Sequence, residues 1–263
     1  MKWLELTGDD LAEARRKAEG VALIPVGSLE RHGPHLPLGC DTLTIEYVTD
    51  RVAELEPVVV LPVLPYTSVS QSAMRAGAVH IRSDILLQHT ICICDELYRN
   101  GFDRIVLVHG HGGNVPMTSG VTSYSLETRK PYSVYSIAPL AGVDVASRME
   151  SEHYGHACEM ETSYALAIFP ELVRMDRVQG RYWHPDPDGS QPQKHGIDTA
   201  INWIATWPDA VCGAPEKGTA EKGRAMLEEW VASIIDKLRY IKQDRVLPEH
   251  MARSADFHDD MAD

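Results

Sequence analysis

Glu30, His32 and Asp41 stand within twelve residues of one another, on the segment G-S-L-E-R-H-G-P-H-L-P-L-G-C-D spanning 27–41. Two carboxylates and an imidazole share a loop stiffened by Pro34 and Pro37 and loosened by Gly27, Gly33 and Gly39. Mixed oxygen and nitrogen donors on a stiff loop suit a divalent transition metal. The apolar run Val21–Val26 directly upstream reads as a buried strand, which would hold that loop at its end.

Two further segments offer matching chemistry. H-G-H-G-G-N over 109–114 follows an apolar run ending at Val108, and its glycines let His111 point inward from an unobstructed turn. H-A-C-E-M-E-T-S over 156–163 opens a helical pattern and places Glu159 and Glu161 where a helix dipole favours carboxylates. Together these loops supply a site for one or two divalent ions with a bridging carboxylate. Two ions roughly 3.5–4 Å apart would share a water and lower its pKa toward neutrality. A nearby imidazole could then carry the proton to the leaving group. Other readings of these residues are weaker. No Lys-Ser/Thr closes the glycine turn, no G-x-G-x-x-G follows the first strand, and no H-E-x-x-H is present, so nucleotide-phosphate and zinc-protease patterns do not fit. His35 reads as a loop cap, and His80 and His89 as ordinary helix or loop residues.

The elements that must position these loops alternate along the chain. Helical patterns cover about 9–19, 41–55, 83–99, 115–128, 158–169 and 219–242, with Ser83 a candidate N-cap. Strands are expected at 21–26, 58–62, 104–109 and 132–138. This order implies βαβ units and a mainly parallel sheet covered on both faces, an α/β/α sandwich. Ligands then collect outside the carboxyl ends of the strands, where the three loops would meet. From Val178 to Pro215 the pattern fails amid prolines and glycines, and a segment of that length is expected to serve the site or a neighbouring subunit. Trp183, His184, Trp203 and Trp207 lie within it and could shape a pocket or pack. A single domain over 1–263 is expected, ending in a polar tail from about 244.

Composition narrows the class. The chain has 263 residues, 44% of them hydrophobic, enough for a sizeable core. Its net charge of −13 argues against nucleic acid and anionic membranes as partners. No apolar run reaches a membrane span, and the N-terminus lacks a signal-peptide core, so a cytoplasmic enzyme acting on a small molecule is expected. Cys40, Cys92, Cys94, Cys158 and Cys212 lack framework spacing and read as reduced, mostly buried thiols.

These motifs, with the weaker G-T-A-E-K-G over 218–223, resemble the creatininase (creatinine amidohydrolase) family in the same order over about 200 residues. The resemblance implies a three-layer α/β sandwich, often assembled as a hexamer, with a dinuclear Zn or Mn site, iron being a third choice. It implies Glu30, Asp41 and His111 on one metal, and His32 with the bridging Asp41 on the other. His156 falls at the family's catalytic histidine, and Glu161 on the nearby acid of that motif. His109, Asn114 and Glu159 are candidate substrate contacts.

The departures matter too. Creatininase has a Tyr and then a metal-binding Glu after the middle-loop histidine, where this chain has Gly112 and Gly113. The second ion then needs another ligand, Glu161 first and Glu159 second. No Trp lies between Trp3 and Trp183, which speaks against creatinine as substrate. The expected activity is hydrolysis of a small polar ring or amide. The wider group holds formamide deformylases, peptide-trimming enzymes and C–C hydrolases of keto-inositols, with a lean to the last. A non-catalytic metal-binding subunit is the competing expectation.

Overall fold

The computed structural model describes residues 1–178 and 183–256. Four parallel strands form one sheet in the order β2-β1-β3-β4: β1 Val21–Val26, β2 Val59–Val60, β3 Arg104–His109 and β4 Ser133–Ile137. Every residue of β1 and β3 is buried, as a central parallel strand covered on both faces requires. Pro25 is tolerated within β1 because its hydrogen-bonding side faces β2, and β2 has already ended there.

The period-two pleat sorts the strand side chains into two cores. Val21, Leu23, Val106 and Val108 face one way, and Ala22, Ile24, Ile105 and Leu107 face the other. On the first face lie α2 (Cys40–Leu55), α5 (Glu159–Ile168) and α8 (Ala220–Gln243). On the second lie α1 (Leu11–Lys17), α3 (Ser83–Arg99) and α4 (Val115–Glu127). The result is the three-layer α/β/α sandwich expected from the sequence.

The last long helix shows how sequence sets this packing. Met226, Leu227, Trp230, Ile234 and Leu238 recur at helical spacing and are all buried. Thr219 caps the helix by accepting a hydrogen bond from the Lys222 N–H at 3.2 Å. Gly223 lets α8 touch α5, since a Cβ there would lie 2.0 Å from the Ser163 carbonyl oxygen.

Some expectations shift at their edges. Ser83 is the first residue of α3 and Arg82 precedes it, with no side-chain cap. The irregular segment holds two short helices, α6 (Gln191–Lys194) and α7 (Asn202–Thr206). A further helix, α9 (Val246–Asp256), occupies much of the stretch expected as a polar tail. The five cysteines are free, and only Cys92 is exposed. Among the described residues no helix is long and apolar enough to cross a membrane.

Candidate metal centre

Strand order places the site. The chain runs from β1 outward to β2, then returns to lay β3 on the other side of β1. Between β1 and β3 the connections diverge, and a crevice opens at their carboxyl ends. Val26 and His109 are register partners there, so the loop after β1 and the glycine turn after β3 begin side by side. The first turn of α2 brings Asp41 under the same crevice, and the first turn of α5 brings Glu161 from across it.

Three carboxylates and three imidazoles converge. His111 Nδ1 lies 2.9 Å from Glu30 Oε1 and 3.1 Å from Asp41 Oδ2. His32 Nε2 lies 3.1 Å from Asp41 Oδ1 and 3.6 Å from Glu161 Oε2. Asp41 thus turns one oxygen to each imidazole. His156 stands beside them, its Nδ1 3.9 Å from Glu30 Oε1 and its ring centroid 4.3 Å from that of His32. Donor atoms within 4.8 Å of one another fall into three sets: Glu30, Asp41 and His111; His32, Asp41 and Glu161; and Glu30, His32 and His156.

The surroundings hold these donors rather than neutralise them. Ser28 Oγ donates to Asp41 Oδ2 at 2.6 Å, and Ser72 Oγ donates to Glu30 Oε2. The Ala157 N–H donates to Glu161. No Lys or Arg pairs with any of the three carboxylates among the described residues, although all three are buried. Burial opposes ionisation of Glu30, but facing His111 holds its carboxyl down at about 2. Burial likewise opposes the Asp41 charge, and His32 and His111 override it, holding that carboxyl well below the usual range. Burial would lower His32, yet Asp41 and Glu161 push it up to about 10. Burial raises Glu161, which its imidazole neighbours only partly offset. His32 and His111 therefore supply the positive charge that the carboxylates demand, a place that divalent cations would take on displacing those protons.

Two further observations fit a divalent ion. His111 Nε2 is buried without a hydrogen-bond partner, and an unsatisfied buried polar atom needs an explanation. The donors are carboxylate oxygens and imidazole nitrogens, the set zinc and manganese take. Gly113 has no room for the glutamate of creatininase in this arrangement, because a Cβ there would lie 2.4 Å from His111 Nε2. Glu161 brings its carboxylate to His32 instead.

The remaining predicted residues separate. Glu159 is turned away from the cavity. It accepts from the Glu150 and Ser151 N–H groups, from Ser151 Oγ, and from Lys222 Nζ at 2.6 Å. A two-residue step on a helix rotates side chains about 200° apart, which is why Glu159 and Glu161 part company. His109 is fully buried, its Nε2 2.7 Å from Thr118 Oγ1, and burial lowers its pKa to about 4. Asn114 is also fully buried and donates to the Gly27 carbonyl at 2.8 Å, tying the two loops together. These three residues, expected as substrate contacts, line no part of the cavity. His35 meets Thr162 Oγ1 at 2.9 Å and fastens the first loop to α5. His80 accepts from the Val69 N–H, a structural role like that expected of it.

The cavity above the donors measures about 300 Å³. Its walls include Trp203, one of the residues of the irregular segment expected to shape a pocket or pack, and Gln71, which the sequence did not single out. Trp203 meets the His156 ring edge-on, centroids 5.1 Å apart at 86°. Trp207 packs instead on His153, and the backbone of Trp183 pairs with that of Gly213. The Ser/Thr-rich segment 67–72, placed beyond β2, is the available signal for Gln71 and Ser72.

Comparisons with known proteins bear on the family and the fold. The creatininase family model, creatinine amidohydrolase, matches residues 4–238. A 3-dehydro-scyllo-inosose hydrolase from Thermotoga maritima is 25% identical over 88% of this chain and 79% of its own length. A mycofactocin precursor peptide peptidase from Mycobacterium ulcerans is 31% identical over 82% of this chain and 83% of its own. A manganese creatininase structure superposes with TM-score 0.76 at 26% identity, covering 91% of this chain and 97% of that one. A creatininase variant of Zn-Zn type superposes with TM-score 0.78 at 25% identity, covering 91% and 97%. Family match, fold and donor set converge on one assignment: this chain is a hydrolase belonging to the creatininase (creatinine amidohydrolase) family.

Proposed function

We propose that this hydrolase holds two divalent ions, zinc or manganese, and opens a small polar ring at an amide C–N bond. Glu30, Asp41 and His111 would hold one ion, and His32, Asp41 and Glu161 the other. The single observation that carries this is Asp41, whose two oxygens each face a different imidazole 3.1 Å away. Ions bound there supply an acidified water and polarise the substrate carbonyl.

The protein's own groups do the rest. Ser28 and Ser72 fix the orientation of the Asp41 and Glu30 carboxylates, as supporting hydrogen bonds commonly do around metal ligands. His156 Nε2 lies 2.8 Å from the Arg31 carbonyl oxygen. A carbonyl can only accept, so the proton sits on Nε2 and the Nδ1 lone pair faces the donors. His156 is therefore placed to take a proton at Nδ1 and return it to the departing nitrogen. Trp203 packs against that ring and limits its rotation. A passive binding role, prompted by the missing glutamate at Gly113, loses its motive because Glu161 brings a carboxylate to the same ion.

Opening a ring next to a ketone at a C–C bond is the second reading, favoured by the inosose hydrolase relative. Homo-oligomeric assembly, a single domain and a cytoplasmic setting belong to the same proposal. The test is metal analysis and a hydrolysis screen over cyclic amides, formamides and keto-inositols, on wild type, His111→Ala and Asp41→Ala. Full metal and full activity in both variants would rule the reading out.

A further inference from the structure

Part of the cavity lining carries no metal donor. Gln71, Trp203, Gly112 and Gly155 line it without offering a metal-binding group. We propose that Gln71 and Trp203 are the specificity-determining pair, and that they select a substrate ring bearing no carboxylate or phosphate. The inference rests on the metal-dependent hydrolase reading and narrows its substrate class.

Charge is the first support. No Lys or Arg lines the cavity among the described residues. An anionic substituent beyond the reacting carbonyl would find no side-chain cation to meet it. The whole chain, at −13, adds to its exclusion.

Shape and hydrogen bonding are the second. The indole of Trp203 stands at 86° to the His156 imidazole, so the two rings form a right-angled corner. A flat ring fits such a corner with its face on one aromatic and its edge on the other. A Cβ at Gly112 or Gly155 would meet no atom within 4 Å, so these glycines keep the approach open. Gln71 is held by its neighbour, since Ser72 is bonded to Glu30. Ser70 Oγ donates to Gln71 Oε1 at 3.3 Å, and the amide NH2 of Gln71 has no partner among the described residues. Two donors are thus left for a ring carbonyl or hydroxyl, and a peptide presenting its terminal carboxylate is disfavoured.

The experiment uses the full chain, with and without added manganese, and two ligands sharing one ring. Dihydrouracil is an uncharged cyclic amide; dihydroorotate is the same ring carrying a carboxylate. Isothermal titration is expected to show dihydrouracil bound at least about tenfold more tightly, and Gln71→Ala to weaken it about tenfold, one hydrogen bond's worth. Trp203→Ala should weaken it similarly, and Gln71→Arg should reverse the preference toward dihydroorotate. Equal or tighter binding of dihydroorotate by wild type, no binding of dihydrouracil, or no change in the variants overturns the proposal. Metal content measured on the same samples separates the two ideas. Lost metal counts against the ligand set, whereas lost selectivity with metal retained counts against Gln71 and Trp203. Tight selective binding without hydrolysis of any ring counts against the reaction alone.

Discussion

Helix α2 buries a carboxylate at each end, and the protein answers the two in opposite ways. At the C-terminal end Glu56 accepts from Arg239 Nε at 2.9 Å and Lys242 Nζ at 2.6 Å. At the N-terminal end Asp41, with Glu30 and Glu161, meets only imidazoles and hydroxyl or backbone donors. A carboxylate answered by a permanent side-chain cation is complete as part of the scaffold. A carboxylate answered by titratable imidazoles can exchange their protons for another cation. Glu159 and Glu161 repeat the contrast on a single turn of α5, for Glu159 is held by Lys222 and Glu161 is not.

Breaking the two ends of α2 separately should give separable defects. Asp41→Ala removes the carboxylate shared by both donor sets. Metal content by mass spectrometry should fall to background, and hydrolysis should drop by more than the roughly 100-fold that loss of a supporting residue costs. Circular dichroism should stay unchanged. Glu56→Ala should do the reverse. It leaves the Lys242 ammonium buried without its carboxylate, a loss of about 3 kcal/mol in urea unfolding, with metal content preserved.

Milder changes sharpen the contrast. Gly113→Ala forces the His111 ring to shift, and Ser72→Ala frees the Glu30 carboxylate. Each should weaken metal binding about tenfold in a competition titration while leaving unfolding midpoints nearly fixed. The smallest effect is set by pH. Burial would raise the Glu56 pKa, but Lys242 and Arg239 pull it below the usual carboxylate range. Its contribution is therefore full above the unfolded carboxylate value and is lost as pH falls through the lower folded one. Metal-free wild type should lose stability across that acid window, and Glu56→Gln should show a shallower slope there. Equal slopes would remove Glu56 from the account.

Much of this organisation is legible in the chain. Val21–Val26 and Arg104–His109 are continuous apolar runs and form the central strands with the expected bounds. β2 is shorter than the run 58–62 and keeps only Val59 and Val60. Glu30, His32, Asp41, His111, His156 and Glu161 meet at the end of the sheet because strand order sets the loops after β1 and β3 side by side and α5 packs across them. Side-chain direction was harder to read. Glu159 and Glu161 look alike in sequence, and only the helix register and the position of Lys222 tell them apart. His109 and His111 differ in the same way, one belonging to the buried end of β3 and the other to the turn beyond it. Gln71 and Trp203 lie in segments without periodicity, where tertiary contacts decide what faces the cavity.

Gly223 carries a consequence for engineering. Helix α8 gives no atom to the cavity, yet its bare backbone at this position sets how closely α5 can lie against it. A methyl group there would act as a spacer wedged under Ser163, tilting the turn that presents Glu161. Attempts to rigidify the protein by replacing this glycine with a stronger helix former would thus detune a carboxylate two residues from the point of contact.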